Sequence, residues 1–419
     1  MAILSLAFKS LLNRKFTVLL TLLSIALSVA LLLGVERLRV ESRNSFANTI
    51  SNTDLIVGAR SGSINLLLYS VFRIGDATNN ISWKSYQKFS SHRLVKWSIP
   101  ISLGDSHQGY RVLGTNGDYF RFYQYGNKRN LGFQLGQPFD GVYEAVLGAE
   151  VAEKLNYKIG DKIIIAHGAG KTSFTLHKDK PFTVVGVLNA TGTPVDRTVH
   201  VPLEGIEAIH KNFNDGSAIP GLEQLRDRIL GDDLTPKQIT AFMLGLKTKI
   251  ATFSLQREIN EYRKEPLLAI LPGVALQQLW DLMSIAENAL LLVTSLVVAV
   301  GLIGMLTVML AGLNERRREM AILRSVGARP AHIFLLITGE SFLLSLLGIV
   351  LGLFFLYTGL LISQPFIESV YGLYLPINWP AVREWSLIGL VGIFGLLIGL
   401  IPGYRAYRYS LSDGLSLRV

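Results

Sequence analysis

Four stretches of this chain are each apolar over a length that can cross a bilayer, and their placement is uneven. Their centres fall near Ile25, Val298, Leu347 and Phe394, so one stands alone and three cluster in the last third. Roughly 20 apolar residues suffice for a helix to span a hydrocarbon core of about 30 Å. Lipid offers the backbone no hydrogen-bond partner, so spans of this kind fold as helices. The expectation is an α-helical membrane protein with four transmembrane helices. A large mixed α/β domain is inserted between the first and second.

Charge orients the spans. Lys9, Arg14 and Lys15 precede the first, and Arg405, Arg408 and Arg418 follow the fourth. Between the second and third lies GLNERRREMAILRSVGARPAHIF, in which Arg316, Arg317, Arg318, Arg324 and Arg329 outnumber Glu315 and Glu319. Positive clusters mark cytoplasmic flanks, so both termini and this loop are expected inside and the long insertion outside. The first apolar run continues into Glu36-Arg37-Leu38-Arg39 with no A-x-A cleavage site, which reads as an uncleaved span. The expected order is an amphipathic elbow helix at 1–15, with Leu4, Phe8, Leu11 and Leu12 against Lys9 and Arg14. The first transmembrane helix with a stalk follows at 16–50, then the outer α/β domain at 51–272 and a stalk with the second helix at 273–313. The loop occupies 314–332, the third helix 333–363, an outer loop 364–384, the fourth helix 385–403 and a tail 404–419. From Val274 to Leu313 no proline intervenes, which at 1.5 Å per residue gives a helix of about 60 Å, twice the membrane core.

Composition agrees with a membrane protein carrying a large aqueous part. Hydrophobic residues make up 49%, yet charged residues still reach 17%. The net charge of +10 is met by arginine-rich inner flanks facing anionic membrane lipids, and no basic module for nucleic acid is present. With no cysteine, disulfides, thiolate metal sites and cysteine nucleophiles are excluded.

In the insertion, strand-like runs lie at Thr53–Val57, Val95–Leu103, Lys162–Ala166, Phe182–Leu188 and Thr198–Val201. Tyr143–Tyr157 reads as strand then helix, a helix follows Leu203, and a charged helical stretch follows Thr235-Pro236. Asn212–Gly221, polar and glycine-containing, reads as a loop or boundary. The string His167-Gly-Ala-Gly-Lys-Thr172 lacks the first glycine of a phosphate loop, since Ile165 stands there, and reads as a hairpin connection. The outer histidines (His92, His107, His167, His177, His200, His210) show no ligand spacing, so no metal is expected from local pattern; only long-range pairing could build a site. No nucleophile elbow or zinc-peptidase helix occurs, so neither a catalytic residue nor an enzyme activity is expected of this chain.

In the loop, Met320, Leu323 and Val326 form an apolar stripe closed by Gly327 and Pro330, as in a short amphipathic helix seated on a partner. Gly348 with Gly352 and Gly395 with Gly399 sit four apart, the small-residue spacing that lets membrane helices approach. Glu340 is a costly carboxylate about two turns into the third span, expected to serve a structural pairing.

Asn314–Ala328 closely resembles the N-E-R-x-R-E-I-G-I-x-R-A-x-G-A signature of the MacB/LolC/LolE/FtsX-like permeases of type VII ABC transporters. The tail from Pro402-Gly-Tyr-Arg405-Ala406 to Arg418 resembles the family's closing motif, and Val146–Leu155 with Gly160-Asp161 resembles an outer-domain module. Met320-Ala321 replaces the usual Ile-Gly, Ser325 the usual alanine, and Gly414 the tail's alanine. The resemblance implies that Glu315, Arg316, Arg317, Arg318, Glu319, Met320, Leu323, Arg324, Val326 and Gly327 form a coupling helix on a separate cytoplasmic ABC ATPase dimer, which would bind the ATP and magnesium. No cofactor is expected in this chain. It further implies a second permease copy, as a homodimer or heterodimer, a bacterial inner-membrane location with the large domain periplasmic, and mechanotransmission that exports or extracts a hydrophobic or periplasmic cargo. A periplasmic adaptor or cargo protein would be a further partner. The alternative it allows is a signalling scaffold that activates an envelope enzyme such as a peptidoglycan hydrolase.

Overall fold

In a computed structural model the described residues are 15–168, 180–210, 213–214, 217–218, 233–315, 317–371, 375 and 377–408. The expected elbow helix, apart from Lys15, lies outside them, as do most of the Asn212–Gly221 segment and the tail beyond Arg408. The chain divides into two units, Met1–Ser42 with Met283–Val419, and Arg43–Leu282.

The first unit is helical. Among the described residues four helices are long and apolar enough to cross a membrane: Lys15–Thr49, Pro272–Glu315, Pro330–Tyr371 and Val382–Arg408. The first two contribute residues to both units. At about 1.5 Å per residue they run roughly 50 and 65 Å, well beyond one hydrocarbon thickness. The third extends to Tyr371, into the stretch expected as an outer loop, and the fourth passes Pro402 without ending. Many outward side chains are large and apolar, including Leu27, Leu292, Phe354 and Ile393, as lipid contact requires. The inward face gathers Ile25, Val29, Leu33, Met305, Ile337, Leu344, Ile349 and Val391.

Small residues set how closely these helices approach. A β-carbon added at Gly348 would stand 2.6 Å from Ile25, and one at Gly352 2.8 Å from Val29, so the third helix lies directly on the first. On the third helix Thr338, Ser341 and Ser345 face Gly403, Gly399 and Gly395 of the fourth, where a β-carbon would collide with the hydroxyls. Ser341 and Ser345 return their hydroxyls to carbonyls of their own helix, whereas the Thr338 hydroxyl is buried in the seam without a hydrogen-bond partner among the described residues.

Among the described residues the second unit holds two large sheets and three two-stranded ones. A four-stranded antiparallel sheet runs in the order Leu267–Ile270, Leu55–Ala59, Ala241–Leu246, Val95–Ile101. An eight-stranded mixed sheet runs Lys162–Ile163, Phe182–Leu188, Glu144–Leu147, Thr198–Pro202, Tyr110–Thr115, Asp105–His107, Ala166–His167, with Phe133–Gly136 also on Phe182–Leu188. Two pairings are parallel, Phe182–Leu188 with Glu144–Leu147 and Thr198–Pro202 with Tyr110–Thr115. Each parallel crossover needs a covering connection, and the helices Ala149–Leu155 and Leu203–His210 follow strands of this sheet.

The stretch after Thr235-Pro236 corrects the sequence reading. It forms strand Gln238–Ile239 and then the buried strand Ala241–Leu246; a helix starts only at Thr252. AFMLGL is buried on both faces in the middle of its sheet, and such a strand carries no alternation to separate it from a helix. The hairpin of Asp105–His107 and Tyr110–Thr115 was also not foreseen. Its turn, Gln108-Gly109, has positive φ at both residues (47° and 88°), the geometry of a two-residue hairpin loop.

Two outcomes follow. Gly399→Leu, with no room beside Ser341, should abolish a cooperative thermal transition of the detergent-solubilised chain, whereas Gly389→Leu, which meets nothing, should leave the midpoint within a few degrees. The second concerns His200, wholly buried against Tyr119 and Phe120, with Val146 O 3.2 Å from its Nδ1. Burial, then the nearby Arg73 charge, depress its pKa to about 3. The unfolded chain therefore binds the extra proton, and this contribution to stability is lost as pH falls from about 6.5 toward 3, at up to about 1.4 kcal/mol per unit. Unfolding of the intact chain followed between pH 7 and 5 should be less pH-dependent by that slope in His200→Gln.

Candidate functional site

The loop between the second and third membrane helices folds as a short helix, Arg317–Ser325. Its end is built by Gly327. With φ of 100° this residue adopts a conformation that a side chain resists, its N–H donates to Arg324 O at 3.0 Å, and Ala328 N–H reaches back to Leu323 O at 3.0 Å. A new helix begins at Pro330, whose fixed φ suits a first turn.

The apolar stripe is divided between two surroundings. Met320 is buried in the core of the membrane unit at 6% exposure, and the neighbouring Ala321 is buried at 3%. Val326 is 82% exposed and Ile322 51%, so the apolar surface offered outward is Ile322 with Val326. Met320 therefore packs inward, and the outward apolar surface includes Ile322, which the three-residue spacing passed over. Leu323 is half-buried between the two. Glu319 is exposed. Arg324 is half-buried: its Nη2 donates to the carbonyls of Tyr407 at 2.9 Å and Ala406 at 3.3 Å. These belong to the last turn of the fourth membrane helix, where a cation also meets the negative end of the helix dipole. The side chains of Glu315, Arg317 and Arg318, and all of Arg316, fall outside the described residues. Glu340 is buried within the helical unit at 6% exposure.

At the other end of the same unit lies a cluster that sequence reasoning missed. Arg37 makes a two-pronged ion pair with Glu384, Nε to Oε1 and Nη2 to Oε2, both at 3.0 Å. Its Nη2 also donates to Asn378 O at 3.1 Å, and the guanidinium lies 5.2 Å from the ring centre of Tyr357. Tyr357 donates its hydroxyl to the same carbonyl at 2.8 Å. One helical step away, Glu36 accepts from Arg39 at 2.8 and 3.0 Å and from Arg383 at 2.9 Å, while Arg39 stands 3.6 Å from Glu287. All four membrane helices thus contribute a side chain. Glu36 and Glu384 are 1% and 5% exposed, so these are buried carboxylates with paired charges. The signal in the sequence was Glu36-Arg37-Leu38-Arg39 directly after an apolar run, with Arg383-Glu384 opening the last one.

Residues 18–261 match the family model of the MacB-like periplasmic core domain, and residues 291–411 match that of the FtsX-like permease C-terminal region. The chain belongs to the MacB/FtsX-like family of ABC transporter permeases. It is an inner-membrane protein with a periplasmic domain, the unit of sheets described above. The chain is 22% identical, over 99% of its length, to the macrolide export ATP-binding/permease protein MacB of Salmonella paratyphi A, and spans 60% of that protein. It is 26% identical to an uncharacterised ABC transporter permease of Methanocaldococcus jannaschii, over 64% of this chain and 59% of that one. The periplasmic region of MacB from Actinobacillus actinomycetemcomitans aligns with 56% of this chain and 95% of that structure, at 11% identity and a TM-score of 0.35.

The buried cluster makes a signed prediction. Glu384→Gln leaves Arg37 charged and buried without its counter-ion and should cost about 3–5 kcal/mol, while Arg37→Met with Glu384→Leu should recover most of that loss. A double-mutant cycle on thermal unfolding in detergent measures both.

Proposed function

We propose that this permease works with a separate cytoplasmic ABC ATPase dimer, which binds ATP and magnesium and seats the Arg317–Ser325 helix. ATP binding and hydrolysis then drive motion of the periplasmic unit through the long first and second helices. The cargo is hydrophobic or periplasmic and is exported or extracted on the outer side. The working assembly contains a second permease copy, and both termini lie in the cytoplasm.

One observation carries this reading. The cytoplasmic helix has two faces with different tasks. Met320 and Ala321 are sunk in the membrane unit and Arg324 is tied to the end of the fourth membrane helix, whereas Ile322 and Val326 are exposed at the surface. A solvated connector has no reason to hold two large apolar side chains in water, and a helix anchored this firmly passes on any push applied to it. The length of the first and second helices supports the same reading, because force reaches a distant unit only through an element that does not bend locally. The size of the periplasmic unit, Arg43–Leu282, favours handling of cargo over simple signalling.

The test is co-purification of the detergent-solubilised chain with candidate ABC ATPases, with ATP turnover measured in the complex. Ile322→Glu with Val326→Glu should weaken the complex at least tenfold, about 1.4 kcal/mol, and remove any turnover that depends on the permease. The thermal midpoint should be unchanged, since both side chains are exposed. Full binding and turnover with the double variant would overturn the docking role of this helix.

A further inference from the structure

Three residues far apart in the sequence meet at one edge of the eight-stranded sheet in the periplasmic unit. Asp105 opens the hairpin strand Asp105–His107, and His167 lies directly opposite it in the antiparallel pairing with Ala166–His167. Opposed residues of such a pair project from the same face. His210 closes the helix Leu203–His210, which follows the strand Thr198–Pro202 in the same sheet. His167 Nδ1 is 3.1 Å from Asp105 Oδ1 and 3.1 Å from His210 Nε2, and His210 Nε2 is 3.3 Å from Asp105 Oδ1.

This triangle is the shape a metal ion demands of its ligands. Bonds of about 2.0–2.1 Å in a tetrahedral zinc site set the ligand atoms about 3.3 Å apart, and an octahedral face sets them near 3.0 Å. Hydrogen bonding alone does not satisfy the arrangement. If His167 Nδ1–H donates to His210 Nε2, two lone pairs face each other between His210 and Asp105. If both nitrogens donate to Asp105, two N–H groups face each other at 3.1 Å. With one proton per contact, no choice of tautomers satisfies all three edges, whereas a cation above the triangle accepts a lone pair from each atom. Burial is graded in the same sense. Asp105 is buried, at 4% exposure. The side chains of His167 and His210 remain 48% and 30% exposed, which leaves an open side for water or an exchangeable ligand.

The surrounding contacts fix the ligands. Ser106 Oγ donates to Gly168 O at 2.6 Å, pinning the chain just after His167. Lys180 Nζ donates to Ala208 O at 3.0 Å, holding the last turn of the helix that carries His210. Of the other described outer histidines, His107 sits between Ile164 O and the Tyr157 hydroxyl, His200 is in the core, and His92 faces Glu258.

We propose that Asp105, His167 and His210 bind a divalent transition-metal ion of the zinc class, with at least one coordination position open to the periplasm. Two imidazoles and one carboxylate suit zinc and its first-row neighbours and are a poor cradle for calcium or magnesium, which take oxygen ligands. The ion would tie the hairpin, the short strand and the helix end into one piece. The proposal stands on this geometry and does not depend on the ATPase reading.

The test uses the tag-free full chain in detergent, stripped with a chelator and dialysed. Zinc is titrated against a chromogenic chelator, and cobalt is added separately to read its visible d–d bands. One zinc per chain is expected, with a cobalt spectrum that zinc abolishes. His167→Gln and His210→Gln should each weaken zinc at least tenfold, and His92→Gln should not. Absence of stoichiometric zinc by the wild-type chain, or zinc binding unchanged in both His167→Gln and His210→Gln, would overturn the site. The wild-type cobalt spectrum keeps the test decisive where a variant fails to fold.

Discussion

The bidentate pair between Arg37 and Glu384 is the contact on which the helical unit turns. Neither charge can be released singly, because the partner would be left ionised in a buried, apolar place at a cost of several kcal/mol. The pair therefore fixes the register of the first membrane helix against the fourth. The carbonyl of Asn378 accepts a further hydrogen bond from the guanidinium and the Tyr357 ring of the third helix lies beside it, while Glu36 ties in Arg383 and Arg39. With that register set, Gly348 and Gly352 meet Ile25 and Val29, and the Thr338, Ser341 and Ser345 row meets the glycines of the fourth helix. Close packing replaces the hydrophobic effect as the source of cohesion here, since lipid tails are as apolar as the helix faces.

The two ends of this unit differ in kind. At the end marked by Arg37, buried charge confers geometry. At the end marked by Arg324, an arginine caps the fourth helix while Met320 enters the core, and the short helix exposes Ile322 and Val326. The helix is thus held on one face and open on the other. The periplasmic unit shows a third use of polar groups. Its core buries a neutral histidine, His200, while the edge of the same sheet gathers Asp105, His167 and His210 where solvent can reach.

The sequence by itself determined the four membrane helices, the insertion between the first and second, and the short helix in the arginine-rich loop. These depend on local quantities: runs of apolar residues, the 3.6-residue period and a glycine followed by a proline. Even there the spacing of Met320, Leu323 and Val326 identified a stripe without showing that Met320 faces inward and Val326 outward. Both orientations give the same periodicity, and only neighbouring helices distinguish them. The strand Ala241–Leu246 was misread for a related reason, since a fully buried strand lacks alternation.

Tertiary structure alone decided the pairings. Arg37 and Glu384 are separated by most of the chain, and the three members of the periplasmic triangle come from a hairpin, a strand edge and a helix end that no local spacing connects. Charge partners and ligand triangles are properties of three-dimensional proximity, created by sheet register and helix packing. Residue type announces that such a group must find a partner; the fold decides which.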